Sequence, residues 1–409
     1  MSFRHTVILA LATMGCVAAS KAPRAARIGA PNVLQTPVVG RWERAIEPLN
    51  WDGRDIKTRF GAAVAYDGEG LFVGADSEHF SFGSGLYVFA AVRGEPREES
   101  APLDSLAWVG RFSTFPPMTL GDSVAACGGG RFFAMTSTDT TLIFTKARGG
   151  WSVDRIVPPP AGARFRRRWA GCSLSDIAAA GEDGSVFVYS LERGKWSTFR
   201  TEKAVDRLTV SARRLFFAVG PSLRILDLEK VSLLGTLPLP SRVEAMAAHR
   251  DWLFVKLVED SVVGASNILV FRFLNEKWAA YGELGATVGV VSIVAEDGIV
   301  AAGMPYANDA GHSAGAVQLF RLKEGRWIPD AKVLARIAIP AQHFGAFLAL
   351  KNGELVVSAP GDPWVPGCAY VVDLVGDRAR PEKAGESPII LAGRRISFFA
   401  FEPPSHFPN

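Results

Sequence analysis

The chain has 409 residues, a formal net charge of +4, 48% apolar residues and 21% charged ones. That balance excludes a disordered polymer, and so mild a basic excess gives no ground for a nucleic-acid-binding surface. With 41 glycines and 25 prolines there is punctuation for many short strands, and no long amphipathic helical pattern follows the N-terminus.

Residues 1–19 read as an export signal. Arg4 stands in a short basic region, and the apolar run Thr6–Met14 is too short to span a bilayer. Two processing readings stay open. Thr13-Met14-Gly15-Cys16 resembles a bacterial lipobox, with Cys16 acylated, although Thr stands where Leu is usual; Val17-Ala18-Ala19 fits ordinary cleavage. The expected location is the outer membrane, periplasm or cell surface as a lipoprotein, or else free secretion. Residues 20–38 form a polar, Pro-containing tether.

From Gly40 to Gly94 the sequence predicts short strands at Trp42–Leu49, Phe60–Tyr66, Leu71–Ala75 and Leu86–Ala90. Asp52-Gly53, Asp67-Gly68 and Gly83-Ser84-Gly85 separate them as turns. Small residues (Gly61, Ala62, Ala63, Gly74, Ala75) fill the middle two strands, as inner strands need where several sheets crowd one axis. The pattern recurs. The strand after the first tight turn starts at Leu71, Phe132, Ile177, Leu215, Leu253, Ile299 and Leu355, a mean spacing of about 47 residues. The next strand starts at Leu86, Leu142, Val186, Leu223, Ile268, Val317 and Tyr370. Trp151, Trp196, Trp278 and Trp327 then open an outer strand.

Three copies carry a specific motif. Arg59-Phe60-Gly61 with the Gly83–Phe89 stretch, His343-Phe344-Gly345 with Ser358-Ala359-Pro360, and Gly298–Phe320 resemble FG-GAP repeats, the blades of integrin-α-type propellers. The resemblance implies an all-β, seven-bladed propeller over residues 39–380, with 381–409 as a C-terminal extension. Blade seven lacks an evident outer strand, so Trp42–Leu49 is expected to complete it and close the ring. Pro388–Ala392 and Ile396–Phe401 compete for that place. Trp51-Asp52 is a lone WD dipeptide ahead of an inner strand and does not match the WD40 pattern.

The family often binds calcium through a DxDxDG-type loop between the two innermost strands. Here those loops read YDGEG, CGGGR, SLSD, SARR, AHRD, EDG and KNG, with Asp67 and Glu69 the nearest approach. No row of carboxylates is present, so no calcium ligand is carried over and no cofactor is expected.

Candidate site residues remain. Gly311-His312-Ser313-Ala314-Gly315 matches GxSxG but leads into a strand, whereas a nucleophile elbow needs a helix there. His79, His312 and His343, with Asp76, Asp309 and Asp362, are expected on one face of blades one, six and seven, where they could hold a metal or a ligand. Arg164, Arg166, Arg167 and Arg168 form the densest basic run, in the connection into blade three. Tyr306 and Trp364 are candidate contact aromatics. Cys127 and Cys172 fall at comparable places in neighbouring blades; a disulfide is conceivable, but small buried hydrophobes are the preferred reading.

The expected function is binding, not catalysis: an exported adhesion or scaffold protein presenting the long loops of blades one, six and seven to a protein or polysaccharide. The rivals are an envelope enzyme (a polysaccharide lyase or hydrolase with an axial site) and an outer-membrane assembly scaffold lipoprotein that augments client strands. Contact with a membrane is expected only through the anchor at Cys16.

Overall fold

A computed structural model of the chain describes residues 58–77, 85–93, 103–112, 120–147, 150–258, 267–285, 289–335, 338–362, 365, 367–374, 389–392 and 394–397. The export signal, the tether, the strand expected at Trp42–Leu49, His79 and Trp364 lie outside these residues.

Seven sheets are arranged as a β-propeller, with no helix among the described residues. Blade 1 is β1 (Thr58–Tyr66), β2 (Gly70–Ser77), β3 (Gly85–Arg93) and β4 (Leu103–Phe112). Blade 2 is β5 (Leu120–Ala126), β6 (Arg131–Thr136), β7 (Thr141–Ala147) and β8 (Gly150–Val157). Blade 3 is β9 (Phe165–Cys172), β10 (Asp176–Gly181), β11 (Ser185–Ser190) and β12 (Lys195–Arg200). Blade 4 is β13 (Arg207–Ser211), β14 (Arg214–Val219), β15 (Ser222–Asp227) and β16 (Ser232–Pro238). Blade 5 is β17 (Val243–His249), β18 (Trp252–Leu257), β19 (Ile268–Leu274) and β20 (Lys277–Leu284). Blade 6 is β21 (Ser292–Glu296), β22 (Ile299–Met304), β23 (Ala316–Lys323) and β24 (Arg326–Ala335). Blade 7 has β25 (Leu348–Lys351), β26 (Glu354–Ala359) and β27 (Cys368–Asp373).

The last blade corrects one expectation. The place beside β27 is taken by the C-terminal β29 (Arg394–Ser397), antiparallel, with Cys368 opposite Ser397. Just before it, β28 (Ile389–Ala392) adds in parallel to the outer strand of blade 6, Lys332 opposite Ile389. The C-terminal segment thus supplies the outer strand expected from Trp42–Leu49, at the place for which Ile396–Phe401 is the competing expectation. Closing a ring requires only that the last sheet obtain an outer strand, and either terminus satisfies that.

Residue size follows distance from the axis. The inner strands are rich in Ala and Gly because seven sheets converge there. The second strands are buried from end to end, as in β10 (DIAAAG) and β26 (ELVVSA). The outer strands β8, β12, β20 and β24 are turned largely to solvent, but each keeps a tryptophan buried or half-buried (Trp151, Trp196, Trp278 and Trp327). A repeated wedge holds neighbouring blades together. Phe72 meets Trp151 of the next blade edge to face, ring centres 5.1 Å apart; Phe216 meets Trp278 and Phe254 meets Trp327 in the same way, each at 5.1 Å. The three indole N–H groups in these wedges find no protein acceptor. The wedges therefore hold by packing area and ring geometry, not by hydrogen bonds.

The Phe-Gly motif has its own structural job. Gly61 has φ +92° and sits at a bulge in β1, between Phe60 and Ala63. Phe60 stacks edge-on against Tyr87 with centres 5.3 Å apart, and Phe344 against Tyr370 at 5.1 Å, both pairs at 71° between ring planes. Behind each stands a glycine of the preceding blade. A Cβ on Gly315 would lie 2.5 Å from Phe344 N; one on Gly367 would overlap Phe60 O and lie 2.8 Å from Phe60 N. One interlock thus joins blade 6 to blade 7 and blade 7 to blade 1.

Candidate functional site

In this topology the tight turns between first and second strands share one face, and the loops between second and third strands share the other. On the first face the turns form a funnel of about 1420 Å³, lined from blades 1 to 5 and 7. It opens above an axial channel of about 350 Å³, walled by the inner strands of all seven blades. The channel wall is Ala, Val, Leu, Ile, Met, Gly, Thr, Cys and Tyr66, with no charged side chain.

Local chemistry fixes each turn. Asp67 Oδ1 accepts hydrogen bonds from the N–H groups of Glu69 (2.9 Å) and Gly70 (2.8 Å). Ser173 Oγ does the same for Ser175 and Asp176. Such side-chain caps are why Asp and Ser open turns. Gly128, Gly129 and Gly130 all have positive φ, so the blade 2 turn opens wide at little steric cost. Leu174 lies over that glycine floor, its Cδ2 3.2 Å from where a Cβ of Gly129 would stand, yet it remains 64% exposed.

Contacts between blades brace five seams of the funnel face: 1–2, 2–3, 5–6, 6–7 and 7–1. Cys127 and Cys172 form a disulfide, Cα atoms 5.0 Å apart, which corrects the preference for two buried thiols. The two strand ends register side by side at the blade 2–blade 3 seam, within disulfide reach. Beside it, Arg131 Nη1 donates to Leu174 O at 3.0 Å. Lys146 pairs with Glu69 (2.8 Å), Arg250 and His249 share Asp297 (2.9 and 3.1 Å), and Lys351 pairs with the buried Glu296 (2.5 Å). Tyr66 OH donates to Glu354 across the blade 1–blade 7 seam. Burial raises the pKa of Asp176 in the blade 3 turn, partly offset by the hydrogen bond from Ser175.

These commitments bear on calcium. Asp67 caps its own turn, Glu69 holds Lys146, and Glu296 and Asp297 hold cations from neighbouring blades. The carboxylates at the turns do not fit a shared divalent cation.

On the opposite face the sequence candidates are only partly brought together. His343 Nε2 lies 3.7 Å from Asp362 Oδ1, and its ring meets Tyr306 edge-on at 5.1 Å. Asp309 pairs instead with Lys332 at 2.5 Å. His312 is exposed and enters through its carbonyl, which accepts from Ala341 N at 2.8 Å. Asp76 lies in β2, and nothing is described of its side chain. Among the described residues no three His, Cys, Asp or Glu side chains converge on one point. The blade 6 loop and the segment leading into blade 7 bond to one another: His343 N donates to Ser313 O and Phe344 N to Ala314 O. The GxSxG stretch is part of this zipper and runs directly into β23.

The basic run is also repositioned. Residues 165–168 begin β9 and are not part of a connecting loop. Phe165 is buried against Phe187 and Trp196, because strand alternation turns it inward. Arg166 donates to Val205 O at 2.6 Å, bracing blades 3 and 4. Arg164 is exposed, 4.0 Å from the buried Asp139. Arg167 and Arg168 lie in β9, and nothing is described of their side chains. Sequence reading missed the funnel, whose residues come in small groups from turns of six blades. The glycine triplet and Leu174 were its strongest local signals.

Fold and site together define a seven-bladed β-propeller with a braced funnel above an axis lined by uncharged side chains. Its backbone resembles a chain in a crystal structure of a mitotic checkpoint complex, with a TM-score of 0.52 and 12% identity over 86% of this chain and 96% of that one. The WD40 domain of Neurospora crassa Pan2 gives 0.48 at 11% identity, over 72% of this chain and 85% of that one. Such low identity shows the fold alone. No protein-family model and no curated protein sequence matches the chain.

Proposed function

We propose that this propeller is a non-enzymatic, exported scaffold of FG-GAP type whose funnel holds a segment of a partner protein. The observation that carries the reading is Leu174, an exposed apolar side chain on a glycine floor, beside a disulfide, at the mouth of a funnel shared by six blades. A rigid apolar anchor ringed by polar and charged groups is the anatomy of a protein-binding centre. The funnel takes over the role expected of the long loops, because the blade 6 loop is spent on hydrogen bonds to the segment leading into blade 7. An axial enzyme needs paired acids or bases at the axis, and no charged side chain lines the channel. The Phe-Gly interlocks support the FG-GAP reading. The disulfide supports an oxidising compartment, in keeping with an export signal and an anchor at Cys16.

The test is a pull-down from envelope extract with wild type, Leu174→Asp in the funnel and Tyr306→Ala on the opposite face. The reading predicts a partner held by wild type and Y306A and lost with L174D. Equal recovery with L174D, or recovery no better than a bare resin, would reject it. Labelling with a radioactive fatty acid, with and without Cys16→Ala, tests the anchor separately.

A further inference from the structure

The outer strand of blade 4 differs from the other six. β4, β8, β12, β20, β24 and β29 each carry Lys, Arg, Asp or Glu, the residues that discourage sheet edges from pairing with other chains. β16 reads SLLGTLP: it has no charge and is exposed over most of its length, although the bulge at Leu234 and the missing N–H of Pro238 confine the edge that can pair to the stretch around Thr236. Leu233 is 46% and Leu234 55% exposed. The strand ends its sheet, and no described strand pairs with its outer side. Blade 6 shows what an outer strand of this ring accepts: β28 (IILA), short and uncharged, lies along β24.

Backbone alternation shows which groups are offered. Leu239 N donates to Pro221 O at 2.9 Å, one step beyond the β15–β16 register. Alternate residues of an antiparallel strand bond to opposite sides, so Leu237 faces β15 and Thr236 presents its N–H and C=O outward. Beside the edge runs a groove of about 730 Å³ between blades 4 and 5, with Ile225, Leu237, Phe273 and Trp278 among its apolar walls. Leu234 stands at its lip.

We infer that β16 is a dimer edge, pairing antiparallel with β16 of a second copy about a two-fold axis near Thr236. An isologous contact needs one patch carrying both knob and hole, and here exposed leucines adjoin a groove with apolar walls edged by Arg213, Arg214, Asp227, Glu276 and Lys277. Self-pairing also sets each charge opposite its own sign near the axis. β12 (KWSTFR), with basic residues at both ends, would repel its copy, whereas β16 has nothing to repel. This inference is independent of the funnel reading.

Sedimentation of the full chain over a range of concentrations tests it. Wild type should approach twice the chain mass. Leu234→Lys replaces the exposed leucine at the groove lip with a charge on the pairing edge and should weaken the dimer at least ~10-fold. Thr236→Pro removes the outward N–H and should do the same. Ile156→Lys, on the already charged β8, is the control and should leave the dimer unchanged. Hydrogen exchange at the Thr236 amide should slow as concentration rises. A wild type monomeric at every concentration, or a dimer indifferent to both β16 variants, overturns the inference. So does a monomer whose Thr236 amide is protected only by added envelope extract, which would assign the edge to a client's strand.

Discussion

Gly367 lies so close to Phe60 that a Cβ on it would overlap the Phe60 carbonyl oxygen, although the two residues belong to the last and first blades of the sequence. The contact closes blade 7 onto blade 1, and Gly315 with Phe344 repeats it one blade earlier. Gly367→Ala should therefore destabilise by about 1–3 kcal/mol, the usual cost of forcing atoms into a packed site. Gly282→Ala, where a Cβ would meet nothing within 4 Å, should stay within about 0.5 kcal/mol. Urea unfolding of the two variants checks the contrast, and equal effects would remove the interlock from the account.

The blade wedges give a graded prediction. Trp151 is fully buried against Phe72 and Phe132, and its N–H has no protein acceptor. Trp151→Ala should cost about 3–5 kcal/mol through the cavity it leaves. Trp151→Phe should cost less, since it keeps an aromatic ring and removes an unpaired donor. Calorimetric melting temperatures should fall in that order.

The disulfide spans 45 residues of chain. Cys127→Ser with Cys172→Ser should lower stability by about 2–4 kcal/mol, chiefly by releasing the unfolded chain. Wild type refolded under reducing conditions should match the double variant. If reduction changes nothing, the bridge is not formed in solution.

Asp176 makes stability depend on pH. Burial raises its pKa in the folded state, so the ionised carboxylate disfavours folding above that value. The folded carboxyl takes up its proton before the unfolded one as pH falls, and the penalty disappears. Asp176→Asn should be more stable than wild type at neutral pH. Its advantage should fade as pH drops from the raised value towards the ordinary carboxylate range. An advantage independent of pH would contradict the burial argument.

Much of the fold was legible because it is repeated. The second and third strands of every blade begin within two residues of the positions read from apolar runs and glycine turns. The closing strand was not. Arg394–Ser397 is four residues long with two arginines, while Trp42–Leu49 has the stronger apolar pattern. Pairing at β27 depends on where the chain returns, which local pattern does not encode. Cys127 and Cys172 look alike whether bonded or merely buried until their blades are seen to abut. The basic run was expected in a connecting loop, but it opens β9, where Phe165 is buried and Arg166 reaches Val205 O. The candidate site was least legible, since Leu174, Arg131 and Arg250 share no motif and meet only because turns from separate blades circle one axis.

The central claim is that the funnel mouth is where a partner binds. Its most direct test is the dissociation constant of the captured partner for wild type, Leu174→Asp and Tyr306→Ala, measured by surface interferometry on folded protein. The account predicts at least ~10-fold weaker binding for L174D, in line with losing a central apolar contact, and no more than about twofold change for Y306A. Wild-type affinity in L174D, or a loss confined to Y306A, would move the binding site to the opposite face and contradict the account.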